Sequence, residues 1–246
     1  MNDRNVTLTQ ELYLVGIETE DVLRQLEDLI AVFPNPVIRV QERDCKAVVG
    51  LTASGEDEEV CDLAISSVSR EIRERLGQYI YSAGGTSLEA TVLSLLRQRG
   101  LTLAAAESCT GGLVAKRLTD VPGASDVFSG GMVVYTEATK CALLGLEQSF
   151  IDEHGVVSAA VADKLARRVR KKIRSDLGVG ITGWAGPGGE DVGLVYVALA
   201  WKNTDGMTMS CVRRLTLGDR GRETVRSIAA DNALDMVRRY CSGLEI

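Results

Sequence analysis

Leu101-Thr102-Leu103-Ala104-Ala105-Ala106-Glu107-Ser108-Cys109-Thr110-Gly111-Gly112 decides how the rest of the chain reads. Leu101 to Ala106 is a short apolar run that reads as a buried strand. Leu113-Val114-Ala115-Lys116-Arg117-Leu118 then turns helical. Two hydroxyls and one thiol therefore sit where a strand hands over to a helix. Peptide N–H groups at a helix start lack partners within the helix and attract negative charge. A nucleophile at that point, or an oxyanion beside it, is stabilised. Gly111 and Gly112 let a ligand approach the backbone. The same residues also fit a Ser/Thr N-cap followed by a glycine turn.

Outward from this segment, residues 83–246 alternate helices and strands. Helices are predicted over Leu88–Arg99, Thr110–Leu118, Glu137–Leu144, around Phe150, over Ala159–Arg174 and over Arg220–Tyr240, the last of them amphipathic. Strands are predicted over Leu101–Ala106, Val127–Tyr135, Leu177–Thr182, Gly193–Trp201 and Met207–Leu217. Long apolar strands in such alternation indicate a three-layer α/β/α domain with a mostly parallel sheet. Residues 1–82 read differently, as β-α-β-β-α. Val22, Leu26, Leu29 and Ile30 follow a helical period that Pro34-Asn35-Pro36 stops, and Val60 to Leu76 carries a second apolar stripe. This is a small α+β domain. The glycine-rich stretch Ser82-Ala83-Gly84-Gly85-Thr86 marks the expected boundary.

The chain has 246 residues, a net charge of −6 and 45% hydrophobic residues. That balance provides no general attraction to nucleic acid or to anionic membrane. No apolar run reaches bilayer-spanning length, and the polar start Met1-Asn2-Asp3-Arg4-Asn5 has no signal-peptide core. The six cysteines show no C-x-x-C pairing, which fits a reduced, cytoplasmic protein without a disulfide framework. There is one histidine, His154, in the polar context Asp152-Glu153-His154-Gly155. A multi-histidine metal site is excluded, and a serine nucleophile here needs another base.

Three loops are expected near one sheet edge: Glu107 to Gly112; Phe128-Ser129-Gly130-Gly131 through Tyr135 to Lys140; and Thr182-Gly183-Trp184-Ala185-Gly186-Pro187-Gly188-Gly189. Ligands in open α/β sheets bind beyond the carboxyl ends of strands. Neither a Walker loop nor a dinucleotide fingerprint is present; plain turns also account for the glycines. A lysine in a dry pocket loses its proton readily. A tyrosine beside it can relay one. Ser108, Lys140 and Tyr135 are thus one way to activate a serine without histidine; a solvated Lys140 and a strand-end Tyr135 are the alternative. Cys109 is a rival nucleophile, ranked below Ser108 because burial accounts for it. Arg220 suits a phosphate through its planar donor fork, or is a surface arginine after an Asp cap. The basic run from Lys164 to Arg174 spreads around its helix as a solvated face.

Ala106 to Gly112, Val121-Pro122-Gly123, Gly130-Gly131 to Tyr135 and Lys140, Thr182-Gly183 with Gly186-Pro187-Gly188-Gly189, and Gly218-Asp219-Arg220 occur in the order seen in the CinA (competence/damage-inducible) family, which this chain resembles over about residues 88–242. Residues of about 10–82 resemble the KH-like middle domain of the long members. Their large N-terminal domain, which hydrolyses ADP-ribose, has no counterpart in this sequence. The resemblance implies a nicotinamide mononucleotide deamidase (PncC type) that releases ammonia and nicotinic acid mononucleotide. It implies Ser108 as nucleophile and Tyr135 and Lys140 as proton carriers. Thr110, Gly111, Gly112, Gly130, Gly131, Thr182, Gly183, Gly186 and Arg220 would line the substrate site. It implies no metal, no organic cofactor, a small pyridine nucleotide as partner, and a homo-oligomer, a dimer or larger. Two features depart from the family. The third loop here passes from Gly189 through Glu190-Asp191 to Val192-Gly193, without the family's Lys-Pro-Val-Gly segment. The KH-like part lacks the G-x-x-G loop that clamps a nucleic-acid backbone, so it is expected to pack or dimerise rather than bind nucleic acid. The alternative expectation is a non-catalytic nucleotide-binding or regulatory member.

Overall fold

The computed structural model describes residues 5–188 and 191–246, in two compact units divided between Leu88 and Glu89. Gly189 and Glu190, at the centre of the shortened third loop, lie outside the described residues.

The first unit runs β1 (Val6–Leu14), α1 (Thr19–Val32), β2 (Val37–Arg43), β3 (Lys46–Gly55), α2 (Glu58–Leu76) and β4 (Ile80–Ser82). Its sheet has the order β2-β3-β1-β4 and is antiparallel throughout. Apolar residues of β1 (Leu12, Leu14) and β3 (Val49, Leu51) meet the stripes of α1 (Val22, Leu26) and α2 (Ile65, Val68, Ile72) in one core. The Asp57 carboxylate accepts the Val60 N–H at 2.9 Å and starts α2. The sequence reading lacks β4. That strand is three residues long, and only its pairing with Tyr13 and Leu14 makes it a strand.

The second unit contains α3 (its helix Leu88–Arg99), β5 (Leu103–Glu107), α4 (Leu113–Thr119), β6 (Phe128–Val133), α5 (Glu137–Leu144), α6 (Gln148–His154), α7 (Ala159–Ile173), β7 (Leu177–Gly183), β8 (Leu194–Lys202), β9 (Thr208–Thr216) and α8 (Arg222–Ser242). The sheet order is β6-β5-β7-β8-β9. β6, β5 and β7 are parallel, β8 runs against β7, and β9 runs against β8, so β8 alone reverses direction. The sheet is mostly parallel but mixed. Among the described residues, the links between β7 and β8 and between β8 and β9 hold no helix, and without a crossover only an antiparallel return is open to the chain.

Alternation along the strands separates the two helical layers. Ala104 and Ala106 of β5 join Val161, Leu165 and Val169 of α7. Glu107 points the other way and bonds to α4. On β7, Gly178 and Gly180 face α7 so closely that a Cβ on Gly180 would lie 2.4 Å from the Ala162 oxygen and the Ala166 nitrogen. Absent side chains on the strand and small ones on the helix bring α7 nearly onto the sheet backbone. Gly180→Ala is therefore expected to cost about 2–4 kcal/mol and lower Tm by roughly 5–12 °C. Thermal unfolding checks this, and an unchanged Tm would contradict the close seating of α7.

The last helix departs from its expected amphipathic pattern. α8 is buried around most of its circumference, charged residues included. Asp231 bonds Arg117 at 2.7 Å, and Asp235 bonds Arg238 at 2.7 Å and Arg213 at 3.1 Å. Pairing lets these charges leave water, and hydropathy alone cannot register that.

Candidate active site

Ser108 follows β5 directly, and its N–H continues the parallel ladder by donating to the Ile181 oxygen at 3.1 Å. Strand alternation turns its side chain to the layer that holds α5 and α7. The N-terminus of α5 is built by Thr136 and Thr139, each side chain bonding the other's backbone N–H at 3.2 and 3.0 Å. This fixes the first turn, so Lys140 and Leu144, one turn apart, face inward together.

Lys140 is 1% exposed, one of the largest fully buried side chains in the protein. Its Nζ lies 3.0 Å from Ser108 Oγ, itself 7% exposed. Among the described residues no carboxylate lies within ion-pair distance of this amine. Burial lowers its proton affinity below the ordinary lysine value, and the more distant Glu137 charge only partly offsets this. In its neutral form the amine is a base held against a hydroxyl.

The pair opens into a cavity of about 450 Å³, within the ordinary range for small-molecule sites. Ser108, Lys140, Thr182, Gly183 and Gly186 line it, together with Tyr135, Glu137, Trp184 and Arg222. Thr182 is buried at the end of β7, and its Oγ1 donates to the Val156 oxygen at 2.8 Å. The cavity thus sits beyond the carboxyl ends of β5 and β7, where the strand reading places it.

Tyr135 is on the cavity wall but is 55% exposed, and its hydroxyl accepts from Arg222 at 2.9 Å. The lysine meets Ser108, and the tyrosine meets an arginine. Arg222 also donates to the Gly186 oxygen at 2.7 Å. Arg220, expected to open the last helix, is not among the cavity-lining residues. α8 starts two residues later, after Gly221 at φ 82°, and so aims Arg222 instead. The sequence Arg220-Gly221-Arg222 offers two arginines, and only the helix start chooses between them.

Four glycines and Thr110 have structural duties away from the wall. Gly111 (φ 60°) and Gly112 (φ 92°) form the left-handed turn before α4. The Thr110 side chain is fully buried, and its carbonyl accepts from Arg226 at 2.7 Å. In β6, a Cβ on Gly131 would lie 3.2 Å from that of Ala115, and one on Gly130 would lie 3.8 Å from Ile173. Gly131 thus lets Ala115 sit close against the strand, whereas Gly130, at φ 141°, holds a backbone conformation that favours glycine.

The helix start itself holds a surprise for the sequence reading. The buried Glu107 carboxylate accepts from the N–H groups of Gly112, Val114 and Ala115 at 3.1, 3.0 and 2.9 Å. The α4 donors that were expected to face a ligand already have their anion. Cys109 also lines the cavity, but it is buried, and burial pushes its thiol up to about 11, which disfavours the thiolate. His154, at the end of α6, packs edge-on to Phe150 with ring centroids 4.4 Å apart and does not line the cavity. Arg222, Glu137 and Trp184 are among the wall residues that the sequence reading did not single out. Among the described residues no group of His, Cys, Asp and Glu is placed to hold a metal ion, and no helix is long and apolar enough to cross a membrane.

Fold and cavity define the class: a KH-like α+β domain followed by an α/β/α domain whose sheet edge carries a buried serine–lysine pair. The chain belongs to the CinA family. The CinA C-terminal domain matches residues 85–241, and the damage-inducible protein CinA KH domain matches residues 9–82. A relative from Caldanaerobacter subterraneus subsp. tengcongensis, named as competence-damage inducible, is 45% identical over 86% of this chain and 51% of its own. A CinA-like protein of Desulfovibrio desulfuricans is 42% identical over 86% of this chain and 50% of its own. The chain spans about half the length of these relatives. Among solved structures, the competence/damage inducible protein of Agrobacterium tumefaciens is 35% identical with a TM-score of 0.56, covering 61% of this chain and 90% of that one. The corresponding Klebsiella pneumoniae protein is 28% identical with a TM-score of 0.57, covering 64% and 97%.

Proposed function

We propose that this chain is an amidohydrolase that converts nicotinamide mononucleotide and water to nicotinic acid mononucleotide and ammonia. The observation that carries this reading is the 3.0 Å contact between the buried Lys140 amine and Ser108 Oγ at the floor of a nucleotide-sized cavity.

Neutral Lys140 takes the Ser108 proton as Oγ attacks the carboxamide carbon, and the carbonyl oxygen becomes the tetrahedral oxyanion. Collapse breaks the C–N bond, and the lysine proton goes to the departing nitrogen, which leaves as ammonia. The nicotinoyl group remains as an ester on Ser108. Lys140 then takes a proton from water, hydroxide adds to the ester, and Ser108 leaves with that proton restored. The pyridinium ring withdraws electrons from the carboxamide and favours the attack. Arg222, held by Tyr135 and Gly186, keeps further N–H donors for the phosphate. Tyr135 positions that arginine.

Ammonia release from nicotinamide mononucleotide by the purified protein tests the reading; binding without ammonia would sink it. The pH profile is a second check. Below its pKa, Lys140 is protonated and cannot take the serine proton. Because burial lowers that pKa, kcat/KM should rise with pH along a limb whose midpoint lies below the ordinary lysine value of 10.5, then level off. A profile that is flat, or that falls with rising pH, would remove Lys140 as the base.

A further inference from the structure

Trp184 and Trp201 are the two tryptophans of the chain, and they are placed in opposite ways. Trp201 packs on Tyr240 with ring centroids 5.2 Å apart. Trp184 is 48% exposed and lines the cavity that holds Ser108 and Lys140. Its backbone is clamped on both sides: its N–H donates to the Leu194 oxygen at 2.8 Å, and its own oxygen accepts from Gly193 at 2.7 Å. A large ring is thus left half in water on a firmly held stretch of chain, at a position where burial would be favourable. Tyr135, held by Arg222, exposes a second aromatic ring to the same cavity. Glu137 adds a negative charge to the wall, and its carboxylate is oriented by the Gln148 side chain at 2.8 Å.

We propose that Trp184 is the ring platform of this site, an aromatic face that selects a positively charged heteroaromatic ring, with Glu137 as the compensating charge. The inference rests on the amidohydrolase reading for the identity of the ring and deepens it. Indole is the best aromatic partner for a cation, through the negative face of its π-system. A pyridinium joins that attraction to stacking. A neutral pyridine or an aliphatic amide lacks the charge. Trp184 does not touch the reacting bond in this scheme; it sets which amides reach Ser108.

The test combines binding and turnover on the full chain. Tryptophan fluorescence is titrated with nicotinamide mononucleotide, with the 1-methylnicotinamide cation and with neutral nicotinamide. Ammonia release is measured in parallel for the wild type, Trp184→Leu and Trp184→Phe. Saturable quenching by the two cations at concentrations where nicotinamide has little effect is expected, as is its loss in Trp184→Leu. That variant should lower kcat/KM for the nucleotide about tenfold, with the loss in KM. Trp184→Phe, which keeps an aromatic face, should recover most of it. An unchanged KM in Trp184→Leu, or equal quenching by nicotinamide and its methylated cation, would overturn the platform even if ammonia is released. Cation-selective quenching that Trp184→Leu abolishes, in a protein that releases no ammonia, would uphold the platform and reject the amidohydrolase reading instead.

Discussion

Ser108→Ala should lower kcat for ammonia release from nicotinamide mononucleotide by about 10⁴-fold or more, with the fold intact. Removing the nucleophile of a serine hydrolase leaves only the contribution of binding and charge stabilisation. Lys140→Met should lower kcat by about 10²–10⁴-fold, the range for loss of a general base. The two variants part company in stability. Ser108→Ala deletes one hydroxyl, whereas Lys140→Met replaces a buried amine, whose proton affinity burial lowers, by an apolar chain of similar length. The sign follows from linkage. A lysine with a lowered folded-state pKa binds fewer protons folded than unfolded between that pKa and 10.5. Stability therefore rises with pH across that window, and the full penalty applies below it. Lys140→Met removes the penalty and should raise Tm near neutral pH, where the penalty is in full force. The gap should narrow as pH approaches 10.5. Ammonia assays and thermal unfolding across pH check both parts. Near-wild-type turnover in Ser108→Ala would end the serine mechanism, and a Tm in Lys140→Met below that of the wild type at every pH would contradict the buried-amine penalty.

Glu107→Leu should strongly destabilise the α/β/α domain. It leaves the N–H groups of Gly112, Val114 and Ala115 without the carboxylate that now accepts all three. Hydrogen bonds to a buried charged group contribute about 1.5–3 kcal/mol each, and their losses overlap because one side chain makes them all. A total of about 3–5 kcal/mol follows, or a fall in Tm of roughly 8–15 °C. Glu107→Gln keeps one acceptor oxygen and should lie between. The loss should reach the chemistry too, because the same turn orients Ser108. A Tm within a degree or two of wild type in Glu107→Leu would show that water replaces the carboxylate at no cost.

Glu107 also shows what made parts of this protein legible. The strand that carries it was readable from Leu103 and the three alanines, and the helix after it from its own apolar period. Neither pattern says which way a carboxylate between them points. Here the pleat sends Glu107 to the α4 layer and Ser108 to the α5 layer. The first captures the helix donors, and the second meets a lysine that is 32 positions away in sequence. The reading of Ser108 with Lys140 stood on a different kind of inference: with a single histidine, lysine was the remaining base, and the family motifs pointed to the same residue. Gly130 and Gly131 show the reverse case. Glycine in a motif looks the same whether a ligand, a neighbouring helix or the backbone itself needs it; here Ala115 crowds Gly131, and Gly130 sits at φ 141°.

What the sequence determined by itself is therefore every strand but the short β4, the helices, their class, and the residue types at the sheet edge. Backbone periodicity and the near absence of histidine are local or countable properties, and they survive without knowledge of contacts. Tertiary structure alone decided the reversal of β8, the burial of the charged residues along most of α8, the pairing of Tyr135 with Arg222, and the placing of Arg222 rather than Arg220 at the cavity. Each depends on register across the sheet or on where a helix begins. Moving a strand's register by one residue exchanges the faces of its side chains, and moving a helix start by two turns its first side chains through about 200°. Those choices are made by packing between distant segments, so no window of sequence contains them.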